Sequence, residues 1–459
     1  MVLKHPLIGL TDEEMSSMLL EMGLRGIDEL FKDIPPRLFT RGELRYSKPL
    51  TESEVKQVIK KITSKNVAMG EVKLFIGGGV WPHFVPSIVK EILRRSELLT
   101  SYTPYQPEAS QGILQALFEY QSLMAELLDI DVVNASMYDW ATALGESFRM
   151  AKRVTRRNRI LYPHYVSYER LEVAKTYSEP SSIILQEYSQ DKVDGSVDLE
   201  DLKSKMNRDV AAVYIEYPSY LGFIPINIRE VGEIAHDYGS LFIIGVDPSM
   251  LGIFEPPGRL GADIVVGEGQ PLGIPMSFGG PLLGIMGCRM DTQLIHQLPG
   301  RLIGLTETMR GERAYTMILQ AREQHIKREK ATSNICTNQA LCAVAVAVYL
   351  SLLGKNGIIE LGKQILSRTR YLISRLSRID NLQAPLFKAV HFKEFTYRVR
   401  GKKAERILAE LYKKKILAGI NIGRFYSDLP EAILTCVTEI HSKNDLDLYA
   451  ESLREVAEE

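Results

Sequence analysis

Apolar runs of strand length alternate with stretches of helical periodicity along most of this chain. LFIIGV (241–246) is apolar throughout and ADIVV (262–266) nearly so, the pattern of parallel strands covered on both sides. RILYP, SIILQEY and AAVYIEYPSYLG read as further strands, with helical stretches around SYERLEVAKTYS and NIREVGEIAHDYGS between them. This alternation predicts a right-handed parallel sheet with helices on both faces. Ahead of it, Ile113, Leu114, Leu117, Leu123, Met124, Leu127 and Leu128 keep the spacing of one buried helix face.

The two ends follow other patterns. Residues 11–34 predict two short amphipathic helices, the first capped by Thr11 with Glu14 at the reciprocal position, and 51–66 predict another capped helix. Residues 301–334 are polar and read as helix or loop, while the apolar stretch 339–353 reads as a buried core helix. A surface helix over 357–377 leads into 381–401, whose short runs alternate as antiparallel strands do, and a closing helix is capped near Ser442. The chain thus divides into a helical arm (1–65), a large α/β domain (66–330), and a connecting helix with a small α+β domain (331–459). The apolar helix faces around Tyr120 and Ala340 are expected to need cover from a second chain.

Composition narrows the partners. At 459 residues, 45% hydrophobic and 25% charged, the chain is ordinarily globular and long enough for sizeable cores. Its 56 basic side chains meet 57 acidic ones, a net charge of −1 that argues against nucleic acid or an anionic membrane as main partner. Arg149, Lys152, Arg153, Arg156, Arg157 and Arg159 form the densest basic cluster, at a spacing that suits a solvated helix face. Cys288, Cys336, Cys342 and Cys436 show neither CxxC spacing nor a disulfide framework, so they read as core thiols of a cytoplasmic protein without a metal site. Acidic residues arrive too early for a secretory signal, and 340–353 falls short of the roughly 20 residues that span a bilayer.

The candidate chemistry lies at the strand ends. Asp247 follows LFIIGV, and a parallel sheet places it at the carboxyl edge where α/β proteins bind ligands. The next strand runs into the glycine-rich loop 267–280. A carboxylate on one strand end and an amine on the next loop is how pyridoxal phosphate enzymes hold the pyridinium nitrogen and the Schiff base. Here the amine is missing: no lysine occurs between Lys205 and Lys327. Asp139 and Thr142 open a helix whose backbone N–H groups suit an anion. Gly77, Gly78 and Gly79 make a weaker phosphate cradle, since no Lys, Ser or Thr follows at P-loop spacing. Tyr102, Thr103, Tyr105 and Gln106 set hydrogen-bonding side chains in a turn stiffened by Pro104 and Pro107, which suits either a recognition surface or aromatic packing on a neighbouring helix.

Several of these stretches resemble one family, the P-protein of the glycine cleavage system, a pyridoxal phosphate-dependent glycine decarboxylase. YTPYQPEASQG, NASMYDWATALGE, YPSYLG, DPSMLG, GADIVVGEGQPLGIPMSFGGPLLG and REKATSNICTNQAL look like its first-half, or α-type, sequence, and the resemblance covers nearly the whole chain. It implies the aspartate aminotransferase-like fold of pyridoxal phosphate enzymes, fold type I: α/β, with a large parallel-rich sheet domain and a smaller C-terminal α+β domain. In the family the Schiff-base lysine belongs to the second-half sequence, in a histidine–lysine pair, and Gln270 and Pro271 stand about there in this chain. The resemblance therefore implies a subunit with no catalytic residue of its own. Its partner would be a lysine-bearing β-type chain that holds pyridoxal 5′-phosphate covalently, in an α2β2 assembly. Glycine is the implied substrate and the lipoylated H-protein the implied acceptor of the aminomethyl group. Tyr102, Thr103, Tyr105 and Gln106 are then expected to wall the partner's active site, and Thr332, Ser333, Asn334, Thr337 and Asn338 to lie at the interface. Asp247, Asp139, Thr142, Gln270 and Pro271 become vestiges of a cofactor site, which Trp140, where relatives carry a small residue, is expected to fill. Two readings stand beside this one: a free-standing pyridoxal phosphate enzyme using Lys327 or Lys330, and a scaffold without a part in the chemistry.

Overall fold

The structure, a computed structural model, describes residues 7, 9–39, 49–101 and 104–458 and separates into two compact units, Met1–Val67 and Ala68–Glu459. In the first, helices Asp12–Glu21 and Glu52–Thr63 each start at a capping box, Thr11 with Glu14 and Thr51 with Glu54, where side chain and backbone satisfy each other's end groups. Neither helix buries a residue. Val55, Val58, Ile59 and Ile62 recur at i, i+3, i+4 and i+7 and stay exposed, an apolar stripe without a core beneath it.

The second unit is built on a seven-stranded sheet: β1 (Val132–Val133), β2 (Arg159–Pro163), β3 (Ile184–Tyr188), β4 (Val210–Tyr217), β5 (Leu241–Val246), β6 (Ile264–Glu268) and β7 (Gly284–Cys288). Their order across the sheet is β1-β7-β6-β5-β4-β2-β3. β2 to β6 pair in parallel, and β7 runs antiparallel to both β6 and β1. The expected sheet is therefore mixed. β7 reads GIMGC, and its two glycines blur the strand pattern. Period-2 alternation sends Phe242, Ile244 and Val246 of β5 to one core and Leu241 and Ile243 to the other, so helices cover both faces. Helices Gln111–Leu128 and Ala340–Leu376 share the first core, and Trp140–Thr155 supplies the second.

Not every expectation holds. The polar stretch after Pro299 contains an antiparallel hairpin, Leu302–Glu307 with Arg313–Ile318, whose outer residues are solvated and so hide the alternation. The two helices expected over 339–353 and 357–377 are present within Ala340–Leu376 and meet at a kink at Gly354, which takes φ +57 without the steric cost a side chain would bring. Tyr120 needs no second chain: it is fully buried in a core with Ala343, Val344 and Ala347, and Ala340 packs against the same core. The C-terminal region carries a four-stranded antiparallel sheet, Leu382–Gln383, Glu394–Val399, Ile433–Cys436 and Ile420–Asn421 in that order, backed by helices Ala404–Lys413 and Lys443–Glu458. Cys288 and Cys436 are core thiols, but Cys336 is exposed and Cys342 half-buried.

Candidate functional site

β5 delivers Asp247 to the carboxyl edge of the sheet, where it is 1% exposed. One oxygen accepts from the Ser249 N–H (3.0 Å) and hydroxyl (2.7 Å), capping the turn Pro248–Met250. The other pairs with the Lys393 ammonium at 2.6 Å. Burial alone would raise this carboxyl, but the adjacent ammonium outweighs it and holds Asp247 below its ordinary value. Lys393 also lies over the Trp81 ring, 4.4 Å from its centroid. Nothing in the sequence pattern signals this lysine. Lys393 stands just ahead of the strand Glu394–Val399, at a residue with φ +65, and Phe392, Lys393 and Glu394 are buried in succession, so strand alternation does not extend to it.

β6 ends on Glu268, a buried carboxylate that accepts from three backbone N–H groups: Leu283 at 2.8 Å, Gln270 at 3.0 Å and Trp140 at 3.2 Å. Burial pushes it up to about 8. Trp140 begins the helix whose N-cap is Asp139, and Asp139 and Thr142 cap each other's backbone reciprocally. The anion-binding end foreseen there is thus already facing an acid of the same chain. Gln270, fully buried, forms a two-way amide pair with the Trp81 backbone, both bonds at 3.0 Å, and donates to the Ile274 carbonyl at 2.9 Å. Pro271 is buried beside it. Across the edge, Glu394 takes the Gly78 N–H (2.6 Å) and the Trp81 indole N–H (2.8 Å), and burial lifts it to about 7. The glycine run therefore cradles an internal carboxyl: a Cβ on Gly77 would stand 2.2 Å from Glu394 Oε1.

Trp140 is buried on the sheet, and a Cβ at Gly245 would meet its Cζ2 at 2.7 Å. Its indole N–H donates to Tyr214 (3.2 Å), whose hydroxyl donates to Glu216 (3.1 Å). Glu216 pairs with Arg170 at 2.9 Å, and the Arg170 guanidinium stacks on the indole 3.5 Å from its centroid. What remains open is a cleft of about 230 Å³ lined by Gly78, Gly79, Asp139, Trp140, Arg170 and Glu268 among others. Lys327 and Lys330 are not in its lining.

The turn after Ser101 forms a second cluster. Tyr102 and Thr103 lie outside the described residues; Pro104 is buried and Gln106 exposed. Tyr105 is 40% exposed, and its hydroxyl lies 3.3 Å from both His325 Nδ1 and the Arg301 guanidinium. The His325 ring packs on the phenol at 4.8 Å. Arg301 is buried, reaches the Cys336 thiol at 3.2 Å and approaches Glu323 at 3.7 Å, where one Glu323 oxygen has no hydrogen-bond partner. Sequence reasoning missed Arg301, Glu323 and His325 because no spacing links them to Tyr105. Of the residues expected at an interface, Asn334 is exposed, while Thr332, Thr337 and Asn338 are half-buried. Ser333 turns inward, donating to the buried Glu146 at 2.7 Å, and Asn338 accepts from the Ser136 hydroxyl.

Comparison with known proteins agrees along the chain's length. The family model of the glycine cleavage system P-protein matches residues 5–453. A probable glycine dehydrogenase (decarboxylating) subunit 1 from Staphylothermus marinus is 48% identical over 465 residues, covering 99% of each chain. A crystal structure of glycine decarboxylase (P-protein) of the glycine cleavage system, in inhibitor-bound form, superposes with TM-score 0.87 at 35% identity, covering 98% of this chain and 99% of that one. A sphingosine-1-phosphate lyase from Burkholderia pseudomallei, 12% identical with TM-score 0.66 over 92% and 94% of the two chains, shares the fold alone.

Proposed function

The chain belongs to the P-protein family of the glycine cleavage system, as a subunit-1 type chain of glycine decarboxylase with the fold of type I pyridoxal phosphate enzymes, and we propose that it is the half of the enzyme that does not carry the cofactor. One observation carries this reading. Where the family's second-half sequence has its lysine, Gln270 is locked by three hydrogen bonds and has no amine to offer.

Pyridoxal 5′-phosphate, the group the family implies, does not fit the residues present. Glu268 faces the helix start that a phosphate would need, Lys393 occupies Asp247, and the Trp140 indole covers Gly245. The cofactor then belongs to a lysine-bearing partner subunit, in an α2β2 assembly, with the lipoylated H-protein receiving the aminomethyl group after glycine loses carbon dioxide. The setting is cytoplasmic. When bound by the partner, the ring supplies the electron sink for that decarboxylation. This chain supplies walls and positioning: the Pro104-stiffened turn presents Tyr105 and Gln106 at small entropic cost, and such placement is worth a large rate factor. The exposed stripe Val55, Val58, Ile59 and Ile62 supports assembly, because an apolar helix face without its own core calls for a partner surface.

Purified alone, the chain should retain no cofactor after borohydride trapping. Co-expressed with the lysine-bearing homologue, it should sediment as one assembly that exchanges glycine carboxyl with bicarbonate. A cofactor trapped on this chain, or exchange by the homologue alone at the full rate, would defeat the proposal.

A further inference from the structure

Each polar feature that the family's cofactor would require at this sheet edge is met by a polar group of the chain itself. Asp247, which would face a protonated ring nitrogen, faces the Lys393 ammonium at 2.6 Å. The Trp140 N–H at the helix start, which would face a phosphate, faces the Glu268 carboxyl at 3.2 Å. Gly245, two residues before Asp247 and on the same side of the pleat, leaves the strand bare where a ring would lie, and the Trp140 indole lies there. Lys393 does not replace the missing amine. In pyridoxal the aldehyde carbon lies across the ring from the nitrogen, so an ammonium seated on Asp247 stands at the nitrogen's end.

The origin of these groups adds a second point. Glu268, Trp140 and Asp247 belong to the large sheet and its helix, whereas Lys393 and Glu394 lead into the strand Glu394–Val399 of the small domain. A tight turn, with the Glu394 N–H bonded to the Phe392 carbonyl at 2.7 Å and Lys393 at φ +65, aims both consecutive side chains at the same edge. Trp81 joins them, bonding Glu394 through its indole and Gln270 through its backbone.

We propose that Lys393, Trp140 and Glu268 act as an internal ligand, standing for the ring cation, the ring and the phosphate of the absent cofactor, and that this ligand seals the cavity and fastens the small domain to the sheet edge. The proposal rests on the family's placement of the cofactor, not on the composite active site, and its tests do not use activity.

Pyridoxine 5′-phosphate is the probe for the seal, since it has ring and phosphate but no aldehyde to react with surface lysines. Titrated into the full-length chain, it should show no saturable binding. The variant Trp140→Ala/Glu268→Ala/Lys393→Met should bind it saturably and at least ~tenfold more tightly than pyridoxine, which lacks the phosphate. Saturable binding by the parent, or a folded triple variant without any gain, overturns the seal. The clamp is tested separately, since the triple variant removes several buried partners at once. Lys393→Met and Asp247→Asn should each lower the denaturation midpoint, and the double variant should recover most of the loss, because each single change strands one buried charge. Additive losses overturn the clamp.

Discussion

Two polar regions of the same molecule handle their charges in different ways. At the sheet edge, Asp247 and Lys393 are both about 1% exposed and 2.6 Å apart, and Gln270 and Glu268 make bonds of 3.2 Å or less to fixed backbone groups. Around Tyr105 the contacts are longer, 3.3 Å to Arg301 and His325 and 3.7 Å from Arg301 to Glu323, and the phenol stands 40% exposed. A closed network in a dry interior is costly to disturb and rigid, and it has no capacity for a substrate. A loosely bonded cluster at the surface can still tighten around something brought by a partner. The sheet edge, whose charges are paired within the chain, serves structure, while the turn at Tyr105, with no catalytic group of its own, is the better candidate for function.

The largest effect that would break this contrast is on stability. Lys393→Ala should cost roughly 3–5 kcal/mol, because it leaves Asp247 charged and unpaired in the interior. His325→Ala, in the open cluster, should cost no more than about 1 kcal/mol. Urea unfolding with an unchanged slope measures both. Comparable losses at the two sites would mean that the sheet edge is no clamp.

The sheet edge was only half legible in the sequence, and the reason is physical. Asp247 is found by following a strand end, and Gln270 and Trp140 by the resemblance of their stretches to the family, since these features are local. Lys393, Glu394, Arg170 and Trp81 are brought in from distant stretches, and Lys393 sits on a left-handed turn residue just before its strand, where strand periodicity no longer applies. The fold shows the same division. The buried strands β4, β5 and β6 announce themselves as apolar runs, whereas two glycines break the run in β7, which is buried throughout, and the solvated hairpin after Pro299 carries too few buried side chains to leave a pattern.

Next in size is a pH effect confined to the closed region. Glu268 rises from its ordinary 4.5 to about 8 and Glu394 to about 7, both by burial. A carboxyl raised in the folded state contributes stability that is complete below its unfolded value and is lost as pH rises through its folded value. Stability should therefore fall across that window by up to about 1.4 kcal/mol per pH unit for each carboxyl. Asp247 works in the opposite sense, since its value is lowered: its contribution is present at neutral pH and lost as pH falls through the folded value. Glu268→Gln should flatten the fall between pH 4.5 and about 8 by one proton's worth, followed as denaturation midpoints from about pH 5 to 9. An unchanged slope would remove Glu268 from the account.

The smallest change is the most informative about function. Tyr105→Phe deletes one oxygen that sits between Arg301 and His325, while the ring keeps its packing on His325 at 4.8 Å and under the Arg301 guanidinium at 5.4 Å. The fold should shift by less than about 1 kcal/mol, the scale of one exposed hydrogen bond. In the assembled enzyme, glycine decarboxylation should nevertheless drop roughly tenfold, or about 1.4 kcal/mol, if the hydroxyl is held there to meet a group in the partner's active site. Glycine offers only an amine and a carboxylate, so its recognition depends on polar groups placed before it arrives. Equal activity of mutant and parent complexes would make Tyr105 a packing residue and return the turn to the aromatic-contact reading. Loss of assembly, read by sedimentation, would instead make the phenol an interface anchor, and the composite site would then rest on Gln106 and Thr103. Activity lost with assembly and stability intact is the one outcome that a purely structural Tyr105 cannot produce.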